Sequence, residues 1–188
     1  MTTDFSYKPT LTGARVLLRP VTEDDVPALL PMLRDPEIGR LTGSHAEVDE
    51  RALRRWYATR GVQTNRLDLA VVDRATGRVA GEVVLNEWDQ DNESCGFRIC
   101  LAPGTLGRGL GTEATRLVLG HAFETVGLYR VWLEVYAFNP RARRAYEKAG
   151  FRAEGVLRGA LLWEGERVDA TVMAVLAPEW AALAGARG

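Results

Sequence analysis

The chain has 188 residues, 46% of them hydrophobic, and a formal net charge of −1 at pH 7. These values predict a single domain over residues 1–188, and they argue against a general nucleic-acid binder. No apolar run approaches the roughly 18 residues of a membrane span. Residues 1–9 are polar, so we expect neither a membrane segment nor a signal peptide.

The two cysteines, Cys95 and Cys100, lie in one predicted strand. Their odd separation points their side chains to opposite faces of the strand, so we do not expect a disulfide between them. Reduced thiols are typical of a cytoplasmic protein.

In chain order, the first half predicts a strand, two helices and three more strands. Apolar residues at helical spacing indicate the helices, and Pro27 and Pro31 interrupt the first. The predicted elements are a strand at 15–19, a helix at 26–33, a loop at 35–46, a helix at 48–57, hairpin strands at 67–72 and 78–85, a polar loop at 86–92 and a strand at 94–101.

The second half predicts a helix at 112–126, a strand at 130–138, a helix from 139 to 149, and strands at 155–163 and 168–176 around a turn at 164–166. The resulting order is β-α-α-β-β-β-α-β-α-β-β. It indicates an α/β fold, in which helices cover both faces of a mixed sheet.

A glycine-rich loop, L-G-R-G-L-G-T at 106–112, joins the strand at 94–101 to the next helix. Glycines let backbone N–H groups approach a ligand, and the first turn of a helix carries unpaired donors and partial positive charge. The loop therefore predicts a phosphate or pyrophosphate site, or else a tight strand-to-helix connection. It lacks the lysine of a P-loop, and Thr112 stands where a dinucleotide fingerprint has its last glycine.

A second motif is the helix that starts at Asn139-Pro140 and stops before Gly150. Asn suits the N-cap, Pro the first helical position and Gly the residue past the end. Ala142, Ala145, Tyr146 and Ala149 share one face, where a backbone or flat ligand could approach closely.

The strings R-G-L-G-T-E-A and N-P-R-A-R-R-A-Y-E-K-A-G-F resemble, in order and spacing, the acetyl-CoA motifs of the GNAT acetyltransferases. The resemblance extends over about 15–180 and implies a domain core at about 14–180. The branch of ribosomal-protein N-terminal and spermidine acetyltransferases looks most similar. One departure is Leu106, where the family has Gln or Arg. The resemblance implies a largely antiparallel central sheet with helices on both faces. It also implies direct acetyl transfer from acetyl-CoA to a primary amine in a ternary complex.

The resemblance also implies where CoA binds. The glycine loop would hold the pyrophosphate, and the end of the preceding strand would pair with the pantetheine arm and stabilise an oxyanion through a backbone N–H. Asn139 would reach the pantetheine, and an arginine of its helix would touch CoA. The implied CoA-binding residues are Ile99, Cys100, Leu101, Leu106, Gly107, Arg108, Gly109, Leu110, Gly111, Thr112, Asn139, Ala142, Arg143 and Tyr146.

Tyr146 is the predicted general acid. A phenol with a pKa of about 10 is protonated at neutral pH and can donate to the departing CoA thiolate. The alternative is an ordinary core aromatic. For the general base, the candidates are Glu82, Glu87, Glu93 and a water chain, each carboxylate having a solvated surface group as its alternative. Glu82 stands out because it interrupts an apolar strand.

The remaining polar groups carry no clear motif. His45 and His121 lie far apart without ligand-spaced partners, so we predict no metal site. The acidic, aromatic stretch at 87–91 is either part of a site for a cationic acceptor or an exposed turn. With the N-terminal helices, it would line the acceptor site.

Two other functions stay open. One is a non-catalytic acyl-CoA sensor or scaffold of the same fold, and the other is a nucleotide-binding domain that uses the glycine loop differently. The acceptor is open among protein N-termini, polyamines, aminoglycoside-like amines and amino-acid derivatives. A homodimer is an expectation from the resemblance only.

Overall fold

The computed structural model describes residues 4–185, which form one eight-stranded sheet with helices on both faces. The strands are β1 (Leu11–Thr12), β2 (Val16–Pro20), β3 (Leu67–Asp73), β4 (Arg78–Asp89), β5 (Ser94–Leu101), β6 (Arg130–Tyr136), β7 (Arg152–Trp163) and β8 (Glu166–Leu176). The helices are α1 (Val26–Leu33), α2 (Pro36–Thr42), α3 (Glu50–Ala58), α4 (Leu110–Gly120), α5 (Pro140–Ala149) and α6 (Ala177–Gly185). Residues 1–3 and 186–188, the two ends of the predicted domain, lie outside the described residues. Residues 1–3 are also the first part of the polar N-terminal stretch.

The sheet has the strand order β1-β2-β3-β4-β5-β6-β8-β7. Every neighbouring pair is antiparallel except β5 and β6, which are parallel. The predicted fold class, a mixed and largely antiparallel sheet between helices, is therefore confirmed.

The parallel pair opens the sheet near its middle. β5 and β6 pair only where Ser94–Gly96 lies beside Arg130–Trp132, although β5 continues to Leu101 and β6 to Tyr136. Beyond Gly96 the two strands are no longer hydrogen-bonded to each other. This divergence leaves a cleft between the carboxyl ends of the two strands.

Two apolar cores lie on the two faces of the sheet. One packs beneath α4 and α5, with fully buried Leu110, Leu119 and Met173. The other packs beneath α1, α2 and α3, with buried Leu29 and Tyr57. Cys95 belongs to the first core and Cys100 packs against the second, and both are free thiols. The prediction that the two cysteines face opposite sides is confirmed.

The loop predicted at 35–46 is wrong, because it contains α2. The Asp35 side chain caps the helix by accepting from the backbone N–H groups of Glu37 and Ile38, and Pro36 takes the first position. The helix buries Ile38. The helix starts at an Asp-Pro pair, as the helix after Asn139 starts at an Asn-Pro pair. Because it buries a single apolar side chain, its sequence shows no amphipathic periodicity.

The loop predicted at 86–92 is also wrong in its first part. β4 continues to Asp89, with Asn86 opposite Gly96 and Asp89 opposite Ser94. The register shifts between Asn86 and Asp89, and Glu87 in this bulge has φ of 49°. Backbone pairing to β5 holds the polar residues Asn86, Glu87 and Asp89 in the sheet, and Trp88 between them packs against the first core.

Further differences concern two elements that the sequence did not predict and the bounds of one predicted helix. β1 and α6 are not in the predicted order, and α6 closes the first core through Trp180, whose indole N–H donates to Glu124 at 2.8 Å. The predicted helix at 112–126 begins earlier, at Leu110, and its last part, His121–Val126, is π-helical. None of the helices within residues 4–185 is both long and apolar enough to cross a membrane.

Candidate active site

The cleft between β5 and β6 has a volume of about 820 Å³ and is walled by the glycine loop, α4, α5 and the segment after α2. It brings together most of the residues predicted to bind CoA. Those that line it are Ile99, Cys100, Leu101, Leu106, Gly107, Gly109, Leu110, Gly111, Thr112, Asn139, Ala142 and Tyr146. Residues of two distant motifs thus share one cavity.

The glycine loop presents the start of α4 to this cleft. Gly107 and Gly109 have φ of 80° and 78°, in the left-handed region that glycine adopts without strain. Gly109 is the N-cap of α4 and provides no capping side chain, whereas a side chain caps α2, α3 and α5. The first backbone N–H groups of α4 are therefore left to a ligand, and they suit an anion.

The loop's arginine faces away from the cleft. Arg108 Nη1 lies 2.7 Å from Asp73 Oδ2 and holds the pKa of that carboxyl below its usual range. The ion pair ties the glycine loop to the turn between β3 and β4. Arg108 thus has a structural partner and is not in the cleft wall.

Arg143 likewise lies on the outward face of α5, where it pairs with Glu147 at 3.1 Å. The basic residues that line the cleft from this helix are Arg141, Arg144 and Lys148. Their spacing of three and four residues places them in one row. Of the basic residues of this helix, only Arg143 was predicted from the sequence to bind CoA, and the orientation of α5 places the other three in the cleft instead.

Asn139 both caps α5 and lines the cleft. Its Oδ1 accepts the backbone N–H of Ala142 at 3.1 Å. This bond fixes the side chain at the mouth of the cleft, beside the carboxyl end of β6. The amide nitrogen of Asn139 is then available for an acceptor on a ligand.

Tyr146 lines the cleft from α5 with a fixed ring. The ring packs edge-on against Phe97 and Phe151, with centroid distances of 6.1 and 5.9 Å. Within residues 4–185 its hydroxyl has no hydrogen-bond partner. Burial raises the pKa of Tyr146 to about 12, the nearby Cys100 thiol also raises it, and the Arg98 guanidinium lowers it. The phenol is therefore a protonated donor at neutral pH.

Glu82 lies outside the cleft wall. Its carboxylate accepts a hydrogen bond from the Tyr57 hydroxyl at 2.6 Å, and burial beneath α3 raises the pKa of Glu82. Its cross-strand neighbour on β5 is Cys100, which does line the cleft. Of the other carboxylates considered as a base, Glu87 lines the cleft, whereas Glu93 sits in the turn after β4.

Among the cleft residues that were not singled out from the sequence are Arg98, Trp132, Glu134 and Tyr136. The signal for three of them is the alternation along β6. Val131, Leu133 and Val135 enter the first core, so the residues between them must face the other side of the sheet. Arg98 likewise stands between the inward-facing Phe97 and Ile99 on β5.

The segment after α2 closes the far end of the cleft. Gly43 has φ of 66°, and a Cβ at this position would lie 2.6 Å from the Tyr136 hydroxyl. Nearby, His45 stacks on Trp163 with ring centroids 4.9 Å apart. The second histidine, His121, is buried in the π-helical segment that follows α4. In the part of the chain that the structure describes, no group of three or more His, Cys, Asp or Glu residues could hold a metal ion.

Comparison with known proteins agrees with this architecture. Residues 15–152 match the family described as the acetyltransferase (GNAT) domain. The chain is 31% identical over 106 residues to spermidine N(1)-acetyltransferase of Escherichia coli K12, which is 56% of this chain and 57% of that protein. It is also 31% identical over 123 residues to the ribosomal protein bS18 alanine N-acetyltransferase of Salmonella typhimurium, covering 64% of this chain and 76% of that protein.

A solved structure shows the same fold over most of the chain. It is the spermidine N-acetyltransferase of Vibrio cholerae in complex with CoA and spermine, with a TM-score of 0.84 and 23% sequence identity. The superposition covers 90% of this chain and 99% of that one. The sequence matches to spermidine acetyltransferases span little more than half of those proteins. The family match, by contrast, covers most of this chain, and the chain therefore belongs to the GNAT acetyltransferase family.

Proposed function

We propose that this protein is an acetyl-CoA-dependent N-acetyltransferase that transfers the acetyl group directly to a primary amine in a ternary complex. The observation that carries the proposal is one cleft that contains both the uncapped start of α4 and the unbonded hydroxyl of Tyr146. The first suits an anionic cosubstrate, and the second is a proton donor at neutral pH.

The cosubstrate would enter from the side of α4 and α5. The N–H groups at 110–112 would bind the pyrophosphate, aided by the positive end of α4 and by Arg141, Arg144 and Lys148. The unpaired end of β5, from Ile99 to Leu101, would hydrogen-bond the pantetheine arm, and Asn139 would contact it from the opposite wall. These residues would hold the thioester between the diverging strands.

In the transfer step, the neutral amine would attack the thioester carbonyl, and the C–S bond would break as the C–N bond forms. Tyr146 would donate its proton to the CoA sulfur and recover one from solvent. The proton lost by the amine would go to Glu87, directly or through water. We favour Glu87 over Glu82 because Glu87 lines the cleft, whereas Glu82 is buried beneath α3 and bonded to Tyr57.

The test is release of the CoA thiol from acetyl-CoA in the presence of single amines. The amines are spermidine, an aminoglycoside, free amino acids and short peptides with free N-termini. Acceptor-dependent release, with the acetylated amine identified by mass, would support the proposal. Acetyl-CoA binding without release for any amine would favour the acyl-CoA sensor instead. Tight NAD or ATP binding without acetyl-CoA binding would favour the nucleotide-binding domain.

A cytoplasmic location and a homodimer stay part of the same proposal. Both cysteines are free thiols, which suits a reducing compartment. Gel filtration with light scattering would determine the number of copies in solution.

A further inference from the structure

The acceptor half of the cleft contains a cation with no protein partner. Arg98 is exposed and lines the cleft, and within the described residues its guanidinium makes no ion pair or hydrogen bond. Some arginines of the sheet and the glycine loop have carboxylate partners, among them Arg19, Arg108 and Arg130, whereas others in the described residues, such as the exposed Arg78, have none. Arg98 differs from Arg78 in that it lines the cleft. Arg98 is thus a charge held at the site and left for a ligand.

The position of Arg98 directs it to the acceptor rather than to CoA. Cys100 packs against the core beneath α1, α2 and α3, and Arg98, two residues earlier on β5, projects from the same face. The glycine loop and α5 belong to the opposite face, beside the first core. The Arg98 charge nevertheless reaches the reacting end, since it lowers the pKa of Tyr146.

A carboxylate faces Arg98 across the opening. Gly96 is in register with Trp132, so Arg98 and Glu134 each stand two residues further along their diverging strands, on the same face. Both line the cleft, and in the part of the chain that the structure describes the two side chains form no ion pair with each other. Tyr136 lies near both charges, because the Glu134 carboxylate raises its pKa and the Arg98 guanidinium lowers it.

We propose that Arg98 and Glu134 select a zwitterionic acceptor, a small molecule that carries a carboxylate beside the amine to be acetylated. Arg98 would bind the carboxylate through a charge-assisted, bidentate pair, and Glu134 would attract the ammonium group before it loses its proton. A polyamine would instead place an ammonium group against Arg98, which repels it. This inference rests on the proposed acetyltransferase function and names the substrate class of the same site.

The experiment compares matched acceptors that differ only in the carboxylate. L-alanine, L-methionine, L-phenylalanine and L-lysine are each assayed beside their amides, with spermidine as the polycation. The enzymes are the full chain and its Arg98→Gln, Arg98→Lys and Glu134→Gln variants. Arg78→Gln is the matched control, because Arg78 is an exposed arginine at the start of β4, outside the cleft.

We expect at least one amino acid to exceed its amide in kcat/KM by about tenfold or more, as a hydrogen bond to a charged group allows. Arg98→Gln should raise the acceptor KM by about the same factor, with kcat and the KM for acetyl-CoA nearly unchanged. Arg98→Lys should restore part of the preference, and Glu134→Gln should weaken binding of the amino acid more than of CoA. A stronger reaction with spermidine or the amides would overturn the inference. So would a preference that Arg98→Gln leaves intact.

Binding separates this inference from the proposed function. Calorimetry of the CoA-bound protein with each amino acid and its amide measures the two Kd values, and so the selectivity, in the absence of turnover. Carboxylate-dependent binding that disappears in Arg98→Gln, with no acetyl transfer to any amine, would support the zwitterion site and refute the transferase. Acetyl transfer in which neither the rate nor binding depends on the carboxylate would support the transferase and refute the zwitterion site.

Discussion

Tyr146 is the residue whose chemistry depends most on its surroundings. Its hydroxyl opens onto the cleft, and its pKa of about 12 keeps it protonated. Tyr146→Phe removes the donor and retains the ring packing on Phe97. We therefore expect kcat to fall by at least about tenfold, with acetyl-CoA affinity unchanged. Thiol release gives the first quantity and calorimetry the second.

The matched control for this substitution is Tyr129→Phe, since the Tyr129 side chain is 48% exposed and lies outside the cleft. Equal kcat in the two variants would remove Tyr146 from the chemistry.

The two candidate bases can be separated by isosteric substitutions. Glu87→Gln removes a carboxylate from the cleft wall, so kcat should fall by about tenfold or more. The increase in kcat with pH that comes from ionisation of the base should also change. Glu82→Gln keeps the side-chain volume and an oxygen acceptor for Tyr57, so kcat should change little. Parallel pH–rate profiles test both. A larger loss of kcat in Glu82→Gln than in Glu87→Gln would identify Glu82, the candidate that stood out in the sequence, as the base.

The site residues that sequence could predict are those whose role follows from the local backbone. Asn139 has a capping role that any Asn-Pro helix start indicates, and the glycines of the loop have conformations that other residues rarely adopt. Arg98 and Glu134 could not be assigned from the sequence, because they line a cleft only where two strands diverge after three paired residues. Arg108 and Arg143 show the reverse: both are in the right motif, but carboxylate partners hold them outside the cleft.

At the scale of elements, the entry into α1 depends on an ion pair between the half-buried Arg19 and the buried carboxylate of Asp25. Asp25 accepts from Arg19 Nη1 and Nη2 at 2.8 and 2.6 Å and from the Thr22 backbone N–H at 2.9 Å. The Asp25 side chain is 5% exposed. Asp25→Ala leaves the Thr22 N–H and the Arg19 guanidinium without their acceptor, so we expect a loss of about 3 kcal/mol in the free energy of unfolding.

The same pair predicts a pH dependence. Hydrogen bonds and the charge of Arg19 lower the pKa of Asp25 despite its burial. Its contribution is therefore present above the unfolded-state pKa of about 4 and is lost as pH falls through the lower folded-state value. Urea unfolding at pH 7 and at acid pH tests this, with Asp24→Ala at the exposed neighbour as control. A difference between Asp25→Ala and wild type that persists at acid pH would contradict it.

The elements that sequence missed share a physical cause. α2 buries only Ile38, and three of the last four residues of β4 are polar, so neither shows hydrophobic periodicity. Their order comes from backbone capping by Asp35 and from pairing with β5. The predicted strands and helices around the two cores were confirmed because burial imposes a period on their sequences. α2 and the end of β4 both border the cleft between β5 and β6.

At the scale of the whole molecule, the cleft interrupts the sheet between β5 and β6, which share only three paired positions. A ligand that bonds to β5 and to the start of α4 would bind the folded chain only, and so would stabilise it by mass action. Acetyl-CoA at about 100 times its Kd should add about 2.7 kcal/mol, which is a rise in Tm of about 5–10 °C for a domain of this size.

Thermal unfolding with acetyl-CoA, NAD and ATP at equal concentration measures this stabilisation. We expect acetyl-CoA to give the largest shift, because NAD and ATP have the phosphates that suit α4 but lack the arm that pairs with β5. Tyr146→Phe should keep the shift while losing turnover, since its ring packing is retained. Equal shifts with all three nucleotides would mean that the glycine loop binds phosphate alone and that the opening of the sheet has no role in recognition.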